Sequence, residues 1–291
     1  MVKMMKKSYI FAAISILIWS TSSVVIKLML QELSGLQALF YSFAVATVFL
    51  FLIVWRQGKL GYLREYKLKD YAIIGALGFV GIFIYNMLNT YSYQFASGTQ
   101  AAAINYLWPM WTIVIGAIVL GERLTAWQSG GTLLSIVGMS LVATRGDYGG
   151  FVKMSLFGIG LSFLGSILYG GFCAFVKKVS YDKTVSMMLY FAVGTVAALI
   201  SVIFFSSFPA LNLRIIGFAL WRGIVTCGVA YLTWAIALRG DTVKISNLAL
   251  ITPFLQLVSL AIIFDEEIGA ASILGLVLII AGNLAATKRK A

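Results

Sequence analysis

The sequence predicts an all-α polytopic membrane protein of ten transmembrane helices, arranged as two inverted five-helix repeats. Three observations predict it: a scarcity of charge, a succession of long apolar runs, and a self-similarity at a spacing of 144 residues. The chain has 291 residues, of which 61% are hydrophobic and 11% charged, with mean hydropathy +0.96. An ordinary soluble domain carries about 25% charged residues. So few charges cannot clothe a water-exposed surface of this size, which excludes a soluble globular protein.

A helix crossing the hydrocarbon core needs about 20 mostly apolar residues. The first such run, at roughly 9–28, follows a basic N-terminus. It is read as a retained span rather than a signal peptide, because it is longer than an h-region and no small-x-small site follows it. The second lies at about 36–55 and ends at Trp55; the third, 71–93, carries Gly75, Gly78 and Gly81 on one face, smoothing it for packing. The fourth, about 97–120, holds the polar and helix-breaking stretch INYLWP, and the fifth, 127–143, begins at Trp127. Five more follow at roughly 154–176, 185–208, 215–238, 245–264 and 268–286. Trp55 and Trp127 stand at span ends, where aromatic side chains anchor the interface. Cys173 and Cys227 fall inside spans, so packing rather than a disulfide framework is expected.

The net charge of +12 is explained by topology. With ten spans both termini share a side, and 17 of the 22 basic residues fall on it, including Lys3, Lys6, Lys7 and Lys288, Arg289, Lys290. Cytoplasmic loops carry the excess Lys and Arg, so a multi-pass protein of a bacterial inner membrane with both termini in the cytoplasm is expected. Nucleic acid is not needed as a partner. The lipid bilayer and a small-molecule substrate are, with the chain a monomer or homodimer.

Sliding the sequence by 144 residues brings Pro109 onto Pro253, Glu122 onto Glu266, Gly131 onto Gly275 and Gly138 onto Gly282 without a gap. At the front, SILIWSTSSVVIK (15–27) aligns with SILYGGFCAFVKK (166–178) at a shift of 151, the difference lying in loops. The repeats are therefore residues 1–148 and 149–291. Each holds five spans, and an odd number turns the second upside down. Two inverted halves can exchange conformations and open a central site to either face in turn.

Polar and aromatic residues at mid-membrane locate that site. On an α-helix Ala101, Asn105, Trp108, Pro109 and Thr112 share a face, and an amide there must meet protein or water. Proline frees a backbone carbonyl, tolerated where neighbours or a cavity satisfy it. Pro109 and Pro253 are thus helix breaks. The related span repeats the pattern with Ser246, Ala249, Thr252, Pro253 and Gln256. Tyr85 and Asn89 stack with Ser92 in the third span, Tyr231 and Trp234 with Cys227 and Leu238 in the eighth, and Trp19 sits at the centre of the first before a Ser/Thr run. Nine residues form the substrate-binding set: Trp19, Tyr85, Asn89, Asn105, Trp108, Tyr231, Trp234, Thr252 and Gln256. For each alone the alternative is a helix–helix contact or core packing. Glu122 and Glu266, at span ends, suit capping or gating.

The pattern P…LGERLT…GG…VGM (109–139), echoed by P…FDEEIG…LG…AGN (253–283), resembles the EamA-type drug/metabolite transporters over essentially the whole chain. IWSTSSVVIK (18–27), INYLWP (104–109) and AYLTWAIALRGD (230–241) look most like the aromatic amino-acid exporters of the YddG type. The resemblance implies two five-helix repeats, a repeated glutamate at Glu122 and Glu266, and export of metabolites.

The charges narrow the solute. No carboxylate lies mid-span and histidine is absent, so the buried acid on which a cation/proton antiporter alternates drug and proton is missing. Lys27 lies near a span end and can snorkel; Arg222, about 12 Å inside its span, pairs with a carbonyl or lines the outer vestibule. The expectation is an alternating-access exporter of small zwitterionic metabolites, foremost aromatic or bulky neutral amino acids, by uncoupled facilitated diffusion. The alternative is a carrier of a nucleoside-like metabolite or uncharged drug, with or without proton coupling. A membrane-embedded enzyme is the remote alternative, since no His/Asp/Glu cluster of catalytic or metal-binding type is present. No cofactor and no metal are expected.

Overall fold

The structure is a computed structural model that describes residues 2–96, 101, 104–121, 123–144, 146–147, 156–209, 211–264 and 268–287. All its regular elements among these residues are helices. Ten membrane segments run in order: α1 (Lys7–Leu30), α2 (Gly35–Arg56), α3 (Leu68–Phe95), α4 (Trp108–Leu120), α5 (Ala126–Thr144), α6 (Leu156–Lys178), α7 (Lys183–Phe205), α8 (Leu213–Ala237), α9 (Thr242–Ile263) and α10 (Ala270–Thr287). Seven of them, all but α4, α5 and α10, are long and apolar enough to cross a membrane unaided. Large apolar side chains such as Leu17, Phe51, Ile118, Phe204 and Leu284 face outward, as lipid-facing surfaces should. Trp55 and Trp127 are exposed at helix ends, and Cys173 and Cys227 are buried and free.

Several segments are interrupted, and the interruptions aim the site residues. In α1 the helix stops at Trp19 and resumes at Ser22. The hydroxyls of Ser20, Thr21 and Ser22 donate back to the carbonyls of Leu17, Ile18 and Trp19 at 2.6, 2.9 and 2.8 Å. Such back-bonding competes with the helical ladder and bends it. The Ser/Thr run is thus first of all a helix break.

The two prolines sit one residue inside new helices, not in the middle of old ones. Tyr106 and Leu107 form a turn in which the Leu107 N–H donates to Ile104 O at 3.1 Å, and the helix restarts at Trp108. In α9, Leu250 and Ile251 form the equivalent turn, Ile251 N–H donates to Leu248 O at 3.2 Å, and the helix restarts at Thr252. Proline is well placed at a helix start, where its missing N–H has no partner to lose. The expected single face from Ala101 to Thr112 is therefore not one helix face. The two post-proline helices, Trp108–Leu120 and Thr252–Phe264, coincide at both ends when shifted by 144 residues.

The other irregularity is also paired. Gly78–Ile84 within α3 and Trp221–Ala230 within α8 are π-helical, and each ends directly before a tyrosine, Tyr85 and Tyr231. Wider π turns cluster at functional sites, since the extra residue re-aims the side chains of the next helical turn.

Helix packing also comes in matched pairs. α5 packs extensively on α10 and α2 on α7, while α1 meets α8 and α9 as α6 meets α3 and α4. Close approach depends on glycine at the α5–α10 crossing, where a Cβ on Gly138 would stand 2.5 Å from Gly275 O. Gly78 plays the same part against Tyr190 of α7, at 2.9 Å from its carbonyl oxygen, and Gly81 against Phe172 of α6; Gly75 has open space around it. The three-glycine face of α3 is thus a two-glycine contact.

Candidate substrate site

Where α1, α3, α4, α6, α8 and α9 converge, they enclose a half-open cavity of about 530 Å³ including its mouth. Its floor is aromatic. The Trp19 ring lies 5.9 Å from Trp108, 5.7 Å from Tyr231 and 5.4 Å from Trp234, measured between centroids. Trp108 meets Tyr169 edge-on at 5.0 Å, and Tyr85 stacks on Tyr169 at 4.4 Å. Edge-to-face and offset-stacked pairs are the favoured arrangements, so these rings hold one another without needing a ligand.

Polar groups line the walls. Asn105 Nδ2 donates to Tyr85 Oη at 3.3 Å, and Asn86 Nδ2 to Tyr231 Oη at 3.1 Å. Gln256 Nε2 donates to Trp19 O at 2.9 Å, to Tyr106 Oη at 3.0 Å and to Ser22 Oγ at 3.2 Å. The break after Trp19 makes that first bond possible, because it presents a backbone carbonyl sideways to α9. Gln256 therefore ties the breaks of α1, α4 and α9 together.

Seven of the nine expected residues line this cavity: Trp19, Tyr85, Asn89, Asn105, Trp108, Tyr231 and Gln256. Trp234 lies against the far side of Trp19 and Trp108, its centroid 5.1 Å from Trp108, and does not reach the space. Thr252 also stays outside, its hydroxyl donating to Ala249 O at 2.7 Å, the carbonyl that Pro253 cannot serve. Pro109 and Pro253 start the short helices, while Glu122 and Glu266 lie outside the described residues.

Sequence reasoning missed Asn86, Tyr93, Tyr106, Tyr169 and Thr226 on the lining. Tyr169 had a readable signal, a large aromatic near the centre of a span as Trp19 is. Asn86 had one too, sharing an α-helical face with Asn89 and Tyr93 at i, i+3 and i+7, whereas Thr226 lies in the π-helical Trp221–Ala230, where Arg222, Thr226, Cys227 and Tyr231 come to one side at spacings of four and five. Tyr106 joins because the pre-proline turn rotates it inward. Lys27 is exposed near the end of α1, as a snorkelling side chain would be.

The cavity lies in the half of the molecule away from the termini. Ser22 and Ile26 are in the later part of α1, Asn89 and Tyr93 in the later part of α3, Arg222 and Thr226 in the early part of α8. The terminus-bearing half is closed. There Ser15 Oγ meets Thr233 Oγ1 at 2.7 Å and donates to Ala230 O at 2.9 Å, joining α1 to α8. Lys177 reaches the α8–α9 turn, donating to Gly240 O at 3.2 Å, and Lys59 pairs with Asp182 at 2.8 Å. Burial draws the Asp182 carboxyl up, but the Lys59 ammonium and the Val185 and Thr184 N–H groups outweigh it and hold it below the ordinary carboxylate value. Among the described residues no three His, Cys, Asp or Glu side chains gather to hold a metal.

The EamA-like transporter family matches residues 6–144. Over nearly the whole length the chain is similar to named transporters. It is 24% identical to the aromatic amino acid exporter YddG of Salmonella typhimurium, covering 98% of this chain and 99% of that one. It is 27% identical to an Escherichia coli protein named "Probable amino-acid metabolite efflux pump", covering 96% and 94%. It is 22% identical to an uncharacterized transporter of Archaeoglobus fulgidus, covering 99% of both. A solved crystal structure superposes with a TM-score of 0.83 at 18% identity, covering 97% of this chain and 96% of the other, which is a likeness of fold.

Proposed function

We propose that this chain is a membrane transporter of the EamA-like type, the family that matches its residues 6–144, and that it exports small zwitterionic metabolites, foremost aromatic or bulky neutral amino acids, by alternating access. The observation that carries this is the cavity itself, an aromatic floor under walls of amides, hydroxyls and one guanidinium. Flat apolar rings suit an aromatic or bulky side chain, and polar walls suit a charged but net-neutral backbone. The aromatic amino acid and amino-acid metabolite carriers among the relatives support the same class.

The two repeats, 1–148 and 149–291, supply the motion. Paired breaks at Pro109 and Pro253, paired π segments before Tyr85 and Tyr231, and matched helix contacts support two equivalent halves that swap conformations. With the termini in the cytoplasm of a bacterial inner membrane, as the Lys/Arg bias favours, the cavity faces outward. Trp19, Trp108, Tyr169 and Tyr231 then form the closed inner floor. No described carboxylate lines the cavity and the sequence has no histidine, which supports flux driven by the substrate gradient without proton coupling. The similarity to transporters favours this reading over an enzymatic one.

The test is flux in proteoliposomes with labelled phenylalanine, tryptophan, leucine, nucleosides and organic amines. Aromatic amino acids are expected to cross and to compete with one another, at a rate that an imposed pH gradient leaves unchanged. Transport of amines or nucleosides with no effect of aromatic amino acids would overturn the substrate class. Marked acceleration by the gradient would overturn uncoupled flux.

A further inference from the structure

Arg222 is 2% exposed, lines the cavity, and its Nη1 is buried without a hydrogen-bond partner among the described residues. No described carboxylate lines the same space. A guanidinium taken out of water and left without an anion is strongly unfavourable, and its forked N–H groups match a carboxylate in a bidentate pair. Beside it on α8, Thr226 Oγ1 is likewise buried and unpartnered. Three residues that line the same cavity each carry a buried amide oxygen without a hydrogen-bond partner among the described residues: Asn89 Oδ1, Asn105 Oδ1 and Gln256 Oε1. The donor ends of two of these amides are committed, Asn105 to Tyr85 and Gln256 to Trp19 and Tyr106, which leaves their oxygens to receive a hydrogen-bond donor.

We infer that Arg222, with Thr226, anchors the carboxylate of the transported solute, and that the amide oxygens of Asn89, Asn105 and Gln256 receive its ammonium group. The assignment rests on the amino-acid reading above and sharpens it. A carboxylate without an ammonium leaves the amide oxygens unpaired, and an amine without a carboxylate leaves Arg222 unpaired. A zwitterion satisfies both. Bound this way, the solute carries its carboxylate toward the mouth, where Arg222 sits, and its side chain toward the floor at Trp19, Trp108 and Tyr169.

The experiment is labelled-phenylalanine counterflow with wild type, Arg222→Gln and Arg222→Lys, competed by phenylalanine, phenylalaninamide, phenylpropionate and phenethylamine. In wild type, each analogue lacking one charge is expected to compete at least about tenfold more weakly than phenylalanine. Arg222→Gln is expected to raise half-saturation for phenylalanine about tenfold or more and to erase the preference over phenylalaninamide; Arg222→Lys keeps part of both. Equal competition by phenylalanine and its amide in wild type, or an unchanged half-saturation in a folded Arg222→Gln, overturns the assignment while leaving amino-acid export standing. Should Arg222→Gln fail to give a monodisperse protein, the wild-type analogues and Arg222→Lys decide. Should wild type carry no aromatic amino acid, the export reading fails, and thermal stabilisation of purified protein separates the two claims. Stabilisation by phenylpropionate but not phenethylamine, reduced in Arg222→Lys, upholds the anchor; an equal response to both overturns it.

Discussion

At the scale of single residues, Gln256 does more than its position suggests. Its one amide nitrogen meets a carbonyl of α1, a serine of α1 and a phenol beside α4. A buried hydrogen bond contributes about 1 kcal/mol, and an orphaned partner costs about 1–3 kcal/mol. Gln256→Leu fills the same space and removes all three bonds, leaving the Trp19 carbonyl with the Ser22 hydroxyl alone. The expected result is a loss of about 1–3 kcal/mol, read as an earlier unfolding transition in detergent, together with weakened transport. A variant as stable and active as wild type would show that the three breaks stand without it. Gln256 was legible in the sequence from its polarity at mid-span. Its partners were not, because a side chain's reach across three helices depends on how those helices cross.

At the scale of elements, helix ends and helix contacts lead to two tests. Asp182 caps the start of α7, its Oδ1 accepting from Thr184 N at 3.0 Å and Val185 N at 3.1 Å, while Oδ2 takes Lys59. Removing such a cap costs about 1 kcal/mol. Asp182→Ala should lower thermal stability, and Asp182→Asn, which keeps a cap and loses only the partly exposed ion pair, should lower it less. Because the folded carboxyl lies below its ordinary value, its contribution is complete above about pH 4 and disappears as pH falls through the lowered value. The gap between wild type and Asp182→Ala should therefore hold from about pH 6 to 8 and shrink in acid. A gap that widens in acid would contradict the pairing. The second test concerns glycine. Gly138→Ala must push apart α5 and α10, whereas Gly75→Ala meets open space. The first should reduce stability or yield and the second leave both within about 0.5 kcal/mol of wild type; equal effects would remove the close crossing from the account.

At the scale of the whole molecule, the cavity opens on one face while hydrogen bonds and rings close the other. Alternating access predicts that these roles exchange. In a background where Cys173→Ala and Cys227→Ala remove the native thiols, Thr226→Cys should react with an impermeant thiol reagent added from the face opposite the termini. Thr233→Cys, bonded to Ser15 in the closed half, should react only from the terminus-bearing face. Substrate should change the two rates in opposite directions. Labelling of both from one face, unaffected by substrate, would rule out the exchange.

The sequence by itself determined the environment, the ten segments, the 144-residue echo and seven of the cavity-lining residues. These are legible because partition into hydrocarbon is nearly additive along the chain, so composition within a span reports it. Mid-span polarity is legible for the same reason, since an amide or phenol there must turn away from lipid. Tertiary structure decided which face each polar residue shows. The π-helical stretch Trp221–Ala230 sets Arg222, Thr226 and Cys227 on the lining beside Tyr231, and the turn before Pro109 brings in Tyr106. Trp234 and Thr252 lie outside it. Register within a helix is held by bonds to neighbouring helices, as Gln256 to Trp19 shows, and no local periodicity encodes a partner more than 200 residues away.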